Sequence, residues 1–455
     1  MELYNYPILL LTIFFIVILY KYYVALNGKI RVFSITSFFC LCYLVFALIG
    51  SALMNCMRFD AEDNNGIYSH PSVVFEVWFY TLLGAFFLFV GFSLSHYAFG
   101  KVINIKQVHH SFDYKDLTIK SYDVSNKNFR WILCLYFLSV IVLFLYRSQI
   151  GEFPLESIFL GLKGSDLALL RSDATNNFSG KLYRYVIFME VLPIFLFVLV
   201  SLIKRDNISK KWNILYILLL FHNVLYTLIT LQKGPIIKFI LLCYIIYSFK
   251  EKKMEKKPLV LVSLVSVVLI VLMYIFFMGR SDETPVSEIL GGALHRIFIS
   301  SIMPFYWYIM FTNEHGLLLG TSFPNPAGIF PFEHFRLSVE IMNYARGFDD
   351  GVVGSMPTVF IGEMYANFGF LGIIISAVFW GFFLQTIDLF FWNKGKRGKG
   401  ISLSAVYICL MVFFQKHSVS GISGLIVDTN FYAYILLAIW YHHRELKYQR
   451  KIRKI

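Results

Sequence analysis

The residues best suited to chemistry lie between positions 334 and 363, where a histidine, two arginines and a glutamate fall close together. Arg336 and Arg346 carry planar guanidinium groups that can contact phosphate oxygens in bidentate fashion. His334 can move a proton near neutral pH, and Glu363 offers a carboxylate for the same purpose. We therefore interpret His334, Arg336 and Glu363 as candidate catalytic residues and Arg346 as a candidate ligand of a phosphorylated substrate.

Four further cations stand in loops that together contain more acid than base. We interpret them as candidate substrate ligands; they are Arg171, Lys233, Arg280 and Arg296. Lys233 lies in a Gln-Lys-Gly-Pro sequence, where a tight turn by itself would explain the glycine and the proline. The sequence contains no metal-ligand cluster and no nucleotide-binding or hydrolase motif. We therefore predict chemistry that uses neither a metal nor a cofactor.

Long apolar blocks must position these residues. Of the 455 residues, 58% are hydrophobic and 15% are charged, whereas globular domains carry about 45–50% apolar and about 25% charged residues. Blocks of about 18 or more apolar residues cross the hydrocarbon core as helices. We predict an all-α polytopic membrane protein with about eleven transmembrane helices, near residues 6–26, 32–54, 73–99, 131–147, 183–203, 213–231, 235–249, 259–278, 359–392, 401–416 and 428–442.

Lysine and arginine are unevenly distributed between alternate loops. The loops 27–31, 100–130, 204–212, 250–258 and 393–400 and the tail 443–455 hold 27 basic residues, and the alternate loops hold 9. Because basic loops remain on the cytoplasmic side, we predict a cytoplasmic-membrane protein with its N-terminus outside and its C-terminus inside. The basic residues behind the net charge of +13 are then explained by the topology and by attraction to anionic lipids of the cytoplasmic leaflet. They therefore indicate no nucleic-acid partner.

This topology divides the chain into three parts. Residues 1–278 form a transmembrane bundle of about eight helices with an outer loop at 148–182, residues 279–358 form a large extracytoplasmic loop, and residues 359–455 form the last helices and a basic cytoplasmic tail. We predict a short helix around 156–171. We also predict an in-plane or re-entrant helix over 297–311, broken by Pro304, and an ordered loop over 321–335, which is rich in proline, glycine and aromatic residues.

Ionisable residues inside apolar segments are costly and therefore mark functional hypotheses. The assigned topology places Glu76, Glu190, Lys238 and Glu363 in the outer half of the bilayer. Each of them has a structural alternative, since Lys238, for example, could extend its amine to the membrane surface. Taken together, they favour a polar cavity that opens outward.

The segment from Gly354 to Gln385 resembles the late signature of bacterial O-antigen and capsule repeat-unit polymerases of the Wzy type. This signature has a proline, a Gly-Glu pair, an aromatic residue, an Asn-Phe-Gly sequence and a further glycine. Here these residues are Pro357, Gly362, Glu363, Tyr365, Asn367, Phe368, Gly369 and Gly372. The Gln-Lys-Gly-Pro turn resembles a family turn that often carries arginine, and Lys233 departs from that pattern.

The resemblance implies a fold similar to membrane glycosyltransferases that use lipid-phosphosugar donors without a metal. Such an enzyme moves a growing glycan from undecaprenyl diphosphate onto a lipid-linked repeat unit outside the cytoplasm, and cations stabilise the departing diphosphate. Its expected partners are undecaprenyl-diphosphate-linked oligosaccharides, a flippase and a chain-length regulator. The product would be O-antigen, capsule or exopolysaccharide.

Three other classes of protein remain open at this point. A lipid-linked glycan ligase would use similar outer cations. A flippase or other transporter should expose cations in a cavity open to both sides, and the inner half of this chain contains almost none. A structural scaffold would leave the outer arginines and histidine without a purpose.

Overall fold

The computed structural model describes residues 6–30, 32–56, 69–99, 124–159, 170–171, 173–174, 178, 182–203, 209–229, 233–251, 253–277, 291, 295–346, 354–395 and 401–452. Within these ranges the regular structure is helical, without a strand. The all-α prediction is therefore confirmed for the described part of the chain. Arg280 lies outside the described residues.

The helices of the described residues follow the predicted apolar blocks. In chain order they are α1 Tyr6–Asn27, α2 Ile35–Cys56, α3 Pro71–Phe99, α4 Asn126–Ile150, α5 Pro154–Phe159, α6 Tyr183–Ile203, α7 Lys210–Ile229, α8 Lys233–Glu251, α9 Lys256–Phe277, α10 Met303–His315, α11 Leu337–Arg346, α12 Phe360–Gly395, α13 Ile401–Gln415 and α14 Thr429–Ile452. Short 3-10 helices lie at Pro326–Gly328, Lys416–Ser418 and Ser423–Val427. A separate π turn spans His295–Ile299.

Eight of these helices are long and apolar enough to cross a membrane, counted over the residues that the structure describes: α1 to α4, α6, α7, α12 and α13. The helices α8, α9 and α14 occupy three further predicted segments, but eleven crossings remain a prediction. Two of the eight contain π segments, at Leu44–Ile49 in α2 and at Ile187–Val191 in α6.

The helices α3 and α12 approach each other closely through glycines. A Cβ atom on Gly91 would lie 2.2 Å from the carbonyl oxygen of Val378, and one on Gly381 would lie 2.1 Å from that of Leu88. Small residues let membrane helices pack backbone against backbone. This contact fixes the position of α12, whose first turns carry the signature residues.

Asp388 anchors α12 at the opposite end from those signature residues. Its carboxylate accepts hydrogen bonds from the backbone amides of Ile35 (3.1 Å) and Thr36 (2.9 Å) and from the hydroxyl of Tyr407 (2.7 Å). A carboxylate suits this position because the first amides of a helix, here α2, lack intrahelical partners. Asp388 therefore has a structural role.

The helix predicted over 297–311 is observed as α10, which begins at Met303, after the π turn His295–Ile299. Pro304 does not break a helix but stands in the first turn of α10, where its missing N–H costs nothing. At 13 residues α10 is short, and it is largely buried by the protein. Residues 321–335 form an irregular loop with one 3-10 turn, as predicted. Of the helix predicted around 156–171, residues 156–159 belong to α5, Pro154–Phe159, and residues 160–169 lie outside the described part of the structure.

Candidate active site

The signature sequence Asn-Phe-Gly forms a break in α12 to which the preceding loop is attached. Gly369 has φ 61° and ψ −148°, a backbone conformation that is essentially restricted to glycine. The carbonyl groups of Ala366 and Asn367 accept hydrogen bonds from the amides of Leu318 (2.9 Å) and Leu319 (3.0 Å). Two helical carbonyls at the break therefore hold the loop.

The side chain of Asn367 completes this attachment. Its oxygen accepts a hydrogen bond from the amide of Gly320 (3.0 Å), and its nitrogen donates to the hydroxyl of Ser322 (2.8 Å). The other two signature glycines allow close contacts: a Cβ atom on Gly372 would lie 2.2 Å from the carbonyl oxygen of Met364, and one on Gly362 would lie 2.5 Å from the side chain of Thr358. These signature residues thus have structural explanations.

The attached loop presents His334 and Arg336. The amide of Phe335 donates to the carbonyl of Thr321 (2.9 Å), and Nδ1 of His334 contacts the carbonyl oxygen of Phe323 (3.0 Å). If Nδ1 carries the proton in this contact, Nε2 of the neutral ring is the basic nitrogen. Both His334 and Arg336 are exposed. Both side chains are therefore accessible to a ligand. The loop that carries them is attached to the break in α12 by the hydrogen bonds described above.

Helix α11 separates the two arginines that the sequence grouped together. Arg336 directly precedes the helix and Arg346 is its last residue. At a rise of about 1.5 Å per residue, their backbones lie roughly 15 Å apart along the axis. The guanidinium group of Arg346 is near Gly354, with Nη2 3.8 Å from where a Cβ atom would be. The two arginines therefore do not form one compact site.

Aromatic residues hold α11 against α10. The ring of Tyr344 lies 5.5 Å from that of Phe311 and 6.0 Å from that of Trp307 between centroids. Burial raises the pKa of Tyr344 to about 12, and a hydrogen bond to Glu314 and its charge add to the rise. Tyr344 therefore stays neutral and serves packing. The amide of Met356 donates to the carbonyl of Ser338 (2.8 Å), which ties the chain after α11 to that helix.

Glu363 anchors the turn between α13 and α14. One carboxylate oxygen accepts from the amides of Ile422 (2.8 Å) and Ser423 (3.1 Å), and the other accepts from the hydroxyl of Ser423. A Cβ atom on Gly421 would lie only 2.3 Å from Oε2. Glu363 therefore contacts this turn, whereas His334 contacts Phe323 in the loop before α11.

A polar cavity lies among α6, α7, α8, α13 and α14, with a volume of about 110 Å³. Its polar lining consists of Glu190, Asn223, Tyr226, Thr227, Lys238, Lys416, Asn430 and Tyr434. The hydroxyl of Tyr226 donates to Glu190 (3.1 Å), and Lys416 forms an ion pair with Asp428. Of the four ionisable residues predicted to mark one polar cavity, Glu190 and Lys238 line this one, and Glu76 and Glu363 are not among its described lining residues. Its opening to the outside remains a prediction.

The other predicted ligands lie elsewhere. Arg171 is partly buried, and this burial lowers the pKa of its guanidinium group from its usual value. Lys233 is the first residue of α8, five positions before Lys238. Arg296 falls in the π turn before α10. The side chains of Lys233 and Arg296 lie outside the described part of the structure.

Several cavity residues escaped the sequence prediction. Lys416 stands at the end of a predicted helix, where a lysine is common, and its ion-pair partner Asp428 stands at the beginning of the next helix. Tyr226, Asn430 and Tyr434 are polar residues without a distinctive spacing. The one available signal was the pair Glu190 and Lys238, because intramembrane charges in neighbouring helices often meet.

The fold defines a multi-pass helical membrane protein. In a comparison with family models, residues 3–311 match the O-antigen polysaccharide polymerase Wzy family. Since this match covers about two thirds of the chain, the protein belongs to that family of glycosyltransferase-like polymerases. Comparison with curated proteins and with solved structures gave no match. The matched range ends before Pro357, so the signature segment supports the same assignment from a separate part of the chain.

Proposed function

We propose that this protein polymerises undecaprenyl-diphosphate-linked oligosaccharide repeat units on the extracytoplasmic side of the cytoplasmic membrane. The growing glycan moves from one lipid diphosphate onto the repeat unit carried by another. The observation that carries this proposal, beyond family membership, is the exposed pair His334 and Arg336 on a loop hydrogen-bonded to α12. Exposed, positioned cationic and basic groups suit a substrate that carries phosphate.

The spacing along α11 fits a reaction with two phosphorylated substrates. Donor and acceptor each carry a diphosphate, so each needs its own cationic contact. Arg336 and Arg346 stand at opposite ends of α11, and we assign one diphosphate to each. Arg171, Lys233, Arg280 and Arg296 are further candidate contacts for these anionic groups.

The chemical step needs a base and stabilisation of a leaving group. In our proposal the acceptor hydroxyl oxygen attacks the anomeric carbon of the donor glycan and passes its proton to Nε2 of His334. The carbon–oxygen bond to the diphosphate breaks, and the lipid diphosphate departs with the electron pair. Arg336 stabilises the developing negative charge. Glu363 serves as a positioning residue, because its carboxylate already accepts three hydrogen bonds.

The surface glycan of a deletion strain tests this function. A strain that lacks the polymerase should display or accumulate single repeat units, and the wild-type gene should restore long chains. A strain that lacks a ligase would instead accumulate full-length polymer on its lipid carrier. A strain that lacks a flippase would retain repeat units on the cytoplasmic leaflet. Either of these last two outcomes would contradict the proposal.

A further inference from the structure

We infer that the polar cavity holds the hydroxyl-bearing edge of one sugar of the lipid-linked repeat unit. Its principal contacts are Lys238, which donates hydrogen bonds, and Glu190, which accepts them. The inference rests on the proposed function, since it names where that function's substrate is recognised. The cavity is lined by side chains of α6, α7, α8, α13 and α14, whereas His334 and Arg336 lie on the loop before α11.

Lys238 is the side chain that points most directly to a ligand. It is exposed and lines the cavity, and no hydrogen bond or ion pair joins its amine to any residue that the structure describes. A lysine within an apolar helix is costly unless something satisfies its charge and its donors. Glu190 and Lys416 line the same cavity. A hydroxylated ligand would supply the missing acceptors.

The balance of charge favours a neutral ligand over an anion. Lys238 and Lys416 are offset by Glu190 and Asp428, and Lys416 is already paired with Asp428. The cavity therefore offers donors and acceptors without an excess of positive charge. Asn430 adds a buried side-chain oxygen that has no hydrogen-bond partner among the described residues. Sugar hydroxyls both donate and accept hydrogen bonds, as this lining requires.

The size and position of the cavity fit one sugar. A volume of about 110 Å³ is several times the roughly 10–15 Å³ that a single water needs and is too small for an oligosaccharide. Glu190 lies in the π segment Ile187–Val191 of α6, and such segments often occur at functional sites. The cavity lies near the ends of α7 and α13 and the beginnings of α6, α8 and α14, so the remaining substrate can extend past the helix ends.

Steady-state kinetics with purified protein in nanodiscs tests this inference, with a synthetic undecaprenyl-diphosphate-linked repeat unit as the varied substrate. Lys238→Met and Glu190→Gln should each raise KM about 10- to 100-fold, because each removes a hydrogen bond to a charged group, and should change kcat less. The matched controls are Lys257→Met and Glu251→Gln. They alter exposed residues of the same types, at the beginning of α9 and at the end of α8, away from the cavity lining. These controls should keep the wild-type KM.

A cavity-filling variant keeps the test decisive if loss of a charge prevents folding. Val412→Phe adds bulk to the cavity lining and leaves every charge in place. It should raise KM in the same way and should abolish the rise in melting temperature that the repeat-unit lipid gives the wild-type protein. A folded Val412→Phe variant with wild-type KM and an undiminished temperature shift would overturn the inference. If that variant still makes a ladder of polymer products, the proposed function is supported even though the inference about the cavity fails. Absence of any polymer from the wild-type protein would instead refute the proposed function.

Discussion

Single side chains determine how the proposed chemistry works, and Arg336 is the most direct case. We expect Arg336→Ala to lower polymerase activity roughly 10- to 150-fold, which corresponds to about 1.5–3 kcal/mol for a lost hydrogen bond to a charged group. Arg336→Lys keeps the charge but loses the planar fork, so its activity should be intermediate. The measurement is the initial rate of polymer formation by variants that insert in normal amounts.

Arg184 provides the matched control for Arg336. It is another exposed arginine, and its guanidinium group lies 5.9 Å from the ring centroid of the neighbouring Tyr183. Arg184→Ala should keep wild-type activity. If Arg336→Ala and Arg346→Ala both insert normally and still make long chains at the wild-type rate, the diphosphate contacts lie elsewhere.

Glu363 and Gly421 should behave as one structural unit. Glu363→Ala leaves the amides of Ile422 and Ser423 without their acceptor, at a cost of about 1–3 kcal/mol for each buried donor. Gly421→Ala forces a Cβ atom against the same carboxylate without changing any charge. We expect both variants to lower the melting temperature of the purified protein, measured in detergent.

Glu340→Ala is the control for this pair, because it removes an acidic side chain of α11 whose carboxylate accepts no hydrogen bond from the described residues. Its melting temperature should match that of the wild-type protein. A Glu363→Ala variant that melts like the wild-type protein but is inactive would show that Glu363 acts in catalysis, as the sequence first indicated.

For single residues, the sequence predicted which side chains could take part in chemistry, but it did not predict which residues they contact. The exposed positions of His334 and Arg336 agree with a role in binding. The contact of Glu363 with Ser423, sixty positions away, depends on how α12 packs beside the turn after α13. Sequence spacing carries no information on such long-range packing. A glutamate that binds backbone amides of a distant turn therefore cannot be distinguished in the sequence from a catalytic glutamate.

At the scale of elements, the break in α12 connects the membrane bundle to the candidate site. Gly369→Ala places a Cβ atom in a conformation that costs about 1–3 kcal/mol for a non-glycine residue. Relaxation of α12 would withdraw the carbonyls of Ala366 and Asn367 from Leu318 and Leu319. We therefore expect lower polymerase activity together with faster proteolysis of the segment 318–335.

Gly424→Ala is a suitable control for Gly369→Ala. Gly424 has no heavy atom within 4 Å of an added Cβ position and no positive φ, so its substitution should be tolerated. Proteolysis of Gly369→Ala at the wild-type rate, with full activity, would contradict the role of the break in holding the loop.

The elements themselves were largely predictable because apolar length is a strong signal. Each predicted apolar segment corresponds to a helix in the described ranges. The break at Gly369 was not predicted, since α12 is apolar on both sides of it. Pro304 was placed correctly in an apolar segment but was assigned the wrong effect, because proline at the beginning of a helix and proline inside one give the same local sequence.

At the scale of the whole molecule, the orientation in the membrane is the main expectation that follows from sequence alone. We expect position 346 to face outside and position 397 to face the cytoplasm, given the 27 basic residues in one set of loops against 9 in the other. Single cysteines at these positions in a cysteine-free protein can be labelled with a membrane-impermeant reagent in intact cells. Labelling at 397 without labelling at 346 would show that the orientation in the membrane is the opposite of the predicted one.

The central claim is that this protein joins lipid-linked repeat units to one another. Proteoliposomes that contain only the purified protein and a synthetic undecaprenyl-diphosphate-linked repeat unit test it directly, with the released glycans separated by size. We predict a ladder of products that differ by one repeat unit and that lengthen with time. Repeat units that remain single, or that only cross the bilayer, would contradict the account.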